Sequence, residues 1–306
     1  MVSSNKEVSY EHRPHVNIQF QSSKGDNYTM HVVTNSQGLR EDSDIPFEKP
    51  ANVKRIIGLG DSVVFGSSVD NDKTFLKEME RQFSKKGLTV ETLNFGIGFS
   101  NPRMEYYYLK YKKADHYAPD IILLGFCLND FDTNYTAFNP EVGMWYYPRV
   151  PRIHHDTLVV RLKGFLLLKS RVIRLLNDTR HMFIKPNTRP SQYEKQEVAY
   201  WIKQIKEYSE RIHVKFIVII FPYKEQLRYS LRTGDVHFEL QKAITQICDD
   251  LKISYYDLTS DLIDYLKFHK VGVDDFFWDS AHPWNRGHFA IGELVTNWIK
   301  QNKWLG

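Results

Sequence analysis

Two cysteines among 306 residues are too few for a disulfide framework or a cysteine-based zinc site. Cys127 follows an apolar run and Cys248 lies in a helical pattern, so both read as buried free thiols. A dominant charge is missing too: Lys and Arg number 41 against 37 Asp and Glu, a net +4. With no helix-turn-helix, zinc-finger or RNA-binding signature either, nucleic acid is not an expected partner. The stretch Met1–Tyr10 is polar and holds no apolar h-region. No signal peptide is therefore visible, and the compartment stays open: cytoplasmic, or exported with a signal outside this chain. The histidines outside the segments discussed below, including His154-His155, lack metal-ligand spacing, and neither a metal nor another cofactor is implied. Aromatic residues, by contrast, make up 14% of the chain, and most of them belong in a core.

The pattern along the chain divides it at about residue 52. Residues 15–34 alternate as strands do (Val16, Ile18, Phe20, then Tyr28, Met30, Val32), with a turn at Lys24-Gly25-Asp26-Asn27 and a surface connector over 35–52. From Arg55 onward, short apolar strands alternate with amphipathic helices, which argues a parallel sheet covered on both faces. The strands are Arg55–Leu59, Thr89–Leu93, Ile121–Phe126, Phe216–Phe221 and Ser254–Leu258. Helices are expected from a cap at Asn71 or Asp72 to Gly87, from Asn101 with Pro102 in first position, from the Ser191/Glu194 capping box, over His237–Leu251, and from Asn285 to Trp304. The last of these should bury Phe289, Leu294, Val295, Trp298 and Ile299.

An insertion over about 139–190 is too long for a plain loop. Its segment Leu158–Leu176 is apolar but carries Arg161, Lys163, Lys169, Arg171 and Arg174, so a packed helix fits better than a spanning one, and no stable membrane insertion is expected. Trp145, Tyr146 and Tyr147 read equally as a sugar-stacking wall or as an anchor for the insertion.

Chemistry concentrates where strands end. Gly60-Asp61-Ser62-Val63-Val64-Phe65-Gly66 follows the first strand of the sheet, Asn94-Phe95-Gly96-Ile97-Gly98-Phe99-Ser100 the second and Leu128-Asn129-Asp130 the third. Asp279-Ser280-Ala281-His282-Pro283 precedes the last helix. Ligands of parallel α/β sheets bind at the carboxyl ends of strands, so four such segments on one edge form a candidate site. Taken singly, each has an ordinary reading: Asn129-Asp130 as an Asx turn, Asp279 and His282 as a cap and a surface histidine.

Together and in this order, these segments resemble the blocks of the SGNH (GDSL-type) hydrolase family, over about Arg55 to Trp298. Segment His31–Arg40 also looks like the strand preceding the sheet in many bacterial members, some of them found among polysaccharide-modifying proteins. The resemblance implies Ser62 as nucleophile, His282 as base and Asp279 as the acid orienting it. It also implies an oxyanion hole from the N–H of Ser62, the N–H of Gly98 or Gly96, and the amide of Asn129. Ser280 and Trp284 depart from the usual residues of the last block, as does the shortened second block. His288 reads as a packing residue.

The expected fold is a flavodoxin-like three-layer α/β/α sandwich with a five-stranded parallel sheet. Residues 1–52 would form a small N-terminal β extension and connector, and 53–306 the hydrolase domain. The expected activity is that of a serine esterase working through an acyl-enzyme, acting on a short-chain (acetyl) ester of a carbohydrate, either a small molecule or a polysaccharide. The rivals are an O-acyltransferase with the same triad and a catalytically silent carbohydrate-binding protein.

Overall fold

Strands β1 (Asn17–Gln21) and β2 (Thr29–Val33) pair antiparallel, with Asn17 opposite Val33 and Gln21 opposite Thr29. They belong to a computed structural model describing residues 8, 10–21, 29–132, 137–139, 144–146 and 188–305. The expected turn at 24–27, the segment 158–176, Tyr147 and His154-His155 lie outside the described residues. So do the side chains of Trp145 and Tyr146.

The main sheet consists of β3 (Lys54–Gly60), β4 (Val90–Gly96), β5 (Ile121–Cys127), β8 (Lys215–Phe221) and β9 (Ser254–Asp257). All neighbours are parallel, in the order β4-β3-β5-β8-β9. A separate antiparallel pair, β6 (Ala137–Asn139) and β7 (Met144–Tyr146), lies between β5 and β8 in sequence. The order reverses at β3, so the crevice between the ends of β3 and β5 is the switch point of the sheet.

The strand period of two explains the two-sided burial. Ile56, Ile121, Leu123, Ile217 and Ile219 face one layer, while Ile57, Ile122, Leu124, Val218 and Ile220 face the other. The first layer contains α2 (Phe75–Lys85), α5 (Lys224–Thr233), α7 (Thr259–His269) and α9 (Asn285–Gln301). The second contains α3 (Pro102–Tyr111), α4 (Gln192–Arg211) and α6 (Glu239–Asp250). Two one-turn helices, α1 (Ser62–Phe65) and α8 (Val273–Phe276), complete the described set. This is the expected three-layer sandwich. Both cysteines are buried and unpaired. Among the described residues no helix is long and apolar enough to cross a membrane.

Three local expectations are corrected. Asn71 does not cap α2; Thr74 does, accepting from Lys77 N at 3.4 Å. The Asn71 side chain is instead engaged by the N–H and C=O of Val33 and by Arg40. Phe289 is 42% exposed, because α9 turns Ala290, Ile291, Val295 and Ile299 inward. Helices α5 and α7 were not expected at all.

Candidate active site

A row of glycines receives the first candidate residue. Gly96, Gly60 and Gly125 stand side by side in register across β4, β3 and β5. A Cβ at Gly60 (φ +155°) would lie 2.4 Å from Val64 Cγ2 and 2.7 Å from the Gly125 carbonyl oxygen. One at Gly96 would lie 2.2 Å from the Phe65 nitrogen, and one at Gly125 2.4 Å from Val64 Cγ2. The bare strip lets the helical turn α1 sink onto the sheet. Asp61 caps that turn, its Oδ1 accepting from Val63 N at 2.8 Å. Gly66, left-handed at φ +84°, ends it by donating to the Ser62 carbonyl. Buried Val63 and Val64 anchor the turn and leave Ser62 half-buried at the sheet edge.

The turn is clamped from the N-terminal region. Arg40 is buried, and its guanidinium donates at 2.5 Å to each of the carbonyls of Phe65, Gly66 and Val69. Its Nε reaches Asn71 Oδ1 at 2.9 Å, and its Cζ lies 4.5 Å from the Phe65 ring centroid. Asn94 adds a second clamp, donating to the carbonyls of Val64 and Phe65.

The segment Asp279–Pro283 lies in a loop closed by a bridge between Phe277 and Pro283 and by Trp278 N donating to the His282 carbonyl at 2.8 Å. Ser68 Oγ donates to the Pro283 carbonyl at 2.5 Å, and Lys224 N to that of Ser280 at 2.9 Å. Inside the loop, Asp279 Oδ1 accepts from the N–H groups of Ala281 and His282, each at 2.9 Å. Its Oδ2 lies 2.8 Å from His282 Nδ1, and His282 Nε2 lies 2.8 Å from Ser62 Oγ. Partial burial opposes ionisation of Asp279, but hydrogen bonds from the His282 ring and from the two N–H groups outweigh it. The carboxyl is held below the usual carboxylate range.

On the opposite side, the two candidate glycines differ. Gly96 donates its N–H to Asn94 Oδ1 at 2.9 Å and is buried against α1. Gly98 faces open space beside Phe99, which is left-handed (φ +61°) and 64% exposed. Asn129 is exposed on the 3-10 turn Leu128–Phe131, and its Nδ2 donates to Asp61 Oδ2 at 3.1 Å. One amide hydrogen remains for a ligand. Asp130 is buried, and its Oδ2 accepts from Cys127 N at 2.9 Å. His288 is buried apart from this group; its Nδ1 accepts from Phe75 N at 3.1 Å, and burial pushes it down to about 3.

Ser62, His282, Asp279, Gly98 and Asn129 thus share one edge, with Gly96 beneath. Among the described residues, no three His, Cys, Asp or Glu side chains are grouped to hold a metal. The side chains of Arg40, Asn94 and Glu105 also hold this edge and were not expected from the sequence. Asn94 carried the clearest signal, as a polar residue within the apolar run leading into the second block.

No protein-family model and no curated protein matches the chain. Among solved structures, it is similar to a member of the lipolytic protein G-D-S-L family from Veillonella parvula: 12% identity, TM-score 0.46, covering 81% of this chain and 99% of that one. It is similar to the acetyl xylan esterase AlAXEase: 13% identity, TM-score 0.47, covering 80% and 98%. It is also similar to a lipase/acylhydrolase from Enterococcus faecalis: 16% identity, TM-score 0.45, covering 81% and 96%.

Proposed function

We propose that this chain is a serine esterase of the SGNH (GDSL-type) hydrolase family, working through an acyl-enzyme. The observation that carries the reading is the unbroken relay Ser62 Oγ–His282 Nε2 and His282 Nδ1–Asp279 Oδ2, each link 2.8 Å long. Its support from sequence is the ordered set of blocks that supplies these same residues.

A serine hydroxyl is a weak nucleophile until a base takes its proton. An ionised Asp279 accepts from Nδ1–H, which leaves the Nε2 lone pair facing Ser62. As Ser62 Oγ attacks the ester carbonyl, its proton passes to Nε2. The developing oxyanion meets the N–H groups of Ser62 and Gly98 and the free amide hydrogen of Asn129. Gly98 is chosen over Gly96 because the Gly96 N–H already bonds Asn94. Collapse of the tetrahedral adduct expels the alcohol, protonated from Nε2–H. Water activated by the same imidazole then releases the acid.

The substrate class is an acyl ester of a carbohydrate with a short acyl group, acetate first. Incubation with a fluorophosphonate probe should label Ser62, and Ser62→Ala should abolish p-nitrophenyl acetate hydrolysis. Turnover unchanged in the variant overturns the assignment, and an unlabelled wild type favours a silent binding protein. A series of esters of graded chain length, with acetylated polysaccharides and added sugar acceptors, tests the substrate. A long-chain preference sinks deacetylation, and dominant acyl transfer to the acceptors sinks simple hydrolysis.

A further inference from the structure

Three carboxyl groups are buried close to one another, Asp61, Glu105 and Asp130, and Glu105 touches the Ile97–Ser100 loop. Their supply of donors is unequal. Asp61 has Val63 N and Asn129 Nδ2 and stands at the head of α1. Glu105, on α3, has Ser100 Oγ at 2.8 Å from Oε1, and its Oε2 is buried with no partner among the described residues. Asp130 has Cys127 N on one oxygen and none on the other. No lysine, arginine or histidine bonds to Glu105 or Asp130 among the described residues. The titratable groups that face Glu105 from neighbouring elements, Asp61 from α1 and Asp130 from the turn after β5, are both acids.

The position of Ser100 decides the protonation. Its Oγ lies 2.8 Å from Glu105 Oε1 and 3.1 Å from the Gly60 carbonyl oxygen. A hydroxyl has one hydrogen, and a carbonyl oxygen only accepts. Both contacts are hydrogen bonds only when Glu105 donates to Ser100 and Ser100 donates to Gly60. In the alternative, a carboxylate is buried among two other acids with a single donor, which costs far more than the proton does.

We propose that Glu105 is a neutral carboxylic acid whose proton, through Ser100, ties the loop carrying Gly98 to the carbonyl of Gly60. That carbonyl also accepts from Ile97 N at 2.9 Å, so both ends of the Ile97–Ser100 loop converge on the residue two before Ser62. Glu105 is a positioning residue: it acts on the oxyanion N–H through the loop. Burial raises it to about 8; a hydrogen bond from the Ser100 hydroxyl to the charged form opposes the rise and the Asp61 charge adds to it. Above that pH the Ser100 hydroxyl turns to the new carboxylate, the Gly60 link opens, and a second negative charge lies behind the oxyanion hole.

The inference rests on the esterase reading only for its kinetic test. Glu105→Gln substitutes a neutral side chain of the same shape that can still donate to Ser100. At pH 7 it should keep kcat within about threefold of wild type, while Glu105→Ala loses about tenfold or more with KM little changed. The wild-type alkaline limb near pH 8 should flatten in Glu105→Gln. Two readouts are independent of activity. The infrared difference between wild type and Glu105→Gln at about pH 6 should contain the carbonyl band of a protonated acid, lost at alkaline pH. Wild-type stability relative to Glu105→Gln should fall as pH rises from the ordinary carboxylate range to about 8, because the native state keeps a proton that the unfolded chain gives up. A Glu105→Gln protein that is unfolded, or as impaired as Glu105→Ala, or the lack of that band, overturns the proposal. A wild type inactive on esters overturns the esterase reading alone, and the infrared and stability readouts then decide Glu105.

Discussion

Asp61 and Asp279 make the same local motif, and their surroundings push them in opposite directions. Each uses Oδ1 to accept the backbone N–H two residues ahead, from Val63 and Ala281 respectively. Asp61 caps a turn sunk into the glycine row and is completely buried; burial is the largest influence on it and raises it despite its hydrogen bonds. Asp279 sits in a half-exposed loop, where a second N–H and an imidazole on its other oxygen overcome a smaller burial cost. Depth and donor supply together, rather than the motif, set which acid is held as the charged partner of the histidine. The buried aspartate serves geometry, holding α1 and Asn129 in place. The half-exposed one is poised for charge.

Four substitutions probe the two acids and the turn that Asp61 caps. Asp279→Asn has the largest expected effect, a fall in kcat of roughly 10³–10⁴, because an amide facing Nδ1 favours the wrong tautomer. Steady-state kinetics with p-nitrophenyl acetate reads it, and a fall below tenfold would break the comparison. The same variant should lose an acid-side stability slope. A carboxyl depressed in the native state stabilises above its unfolded value, and that stability is lost as pH falls through the native one.

Arg40→Ala comes next, removing the donor shared by three carbonyls in and just after the Ser62 turn. It should cost about 3 kcal/mol of stability in urea unfolding. Arg40→Lys should recover only part, since an ammonium lacks the planar fork. Smallest is Asp61→Asn, with kcat reduced about tenfold, because its amide would meet the Asn129 amide donor to donor. Its stability should also decline less as pH rises above the ordinary carboxylate range, since Asp61 is raised in the native state. A loss as large as that of Asp279→Asn would erase the distinction between the two acids.

Legibility in the sequence followed the range of the interactions. The central strands were readable because burial on both faces leaves continuous apolar runs such as Ile121–Cys127. The segments around Ser62, Asn129 and His282 were readable because each is local. Helix α5 was not: of its ten residues only Gln226, Leu227 and Ser230 are buried, too few for an apolar stripe. Arg40 escaped because its partners are backbone carbonyls about 25 positions away, which no pattern in side chains reports. Glu105 sits in the aromatic-rich helix Pro102–Tyr111 and bonds a serine five residues before it. The glycine row needed the strand order before its alignment had meaning.

The separation of the relay along the chain has a consequence in time. Ser62 and His282 lie 220 positions apart, and the Ser68–Pro283 tie spans 215. Contacts so remote close only after the entropy of a very long loop has been overcome. The sheet can gather strand by strand before then, but Ser62 has no imidazole partner until the last loop docks. On the proposed esterase activity, regain of hydrolysis during refolding should report the docking of that loop, with compaction and helix content running ahead of it.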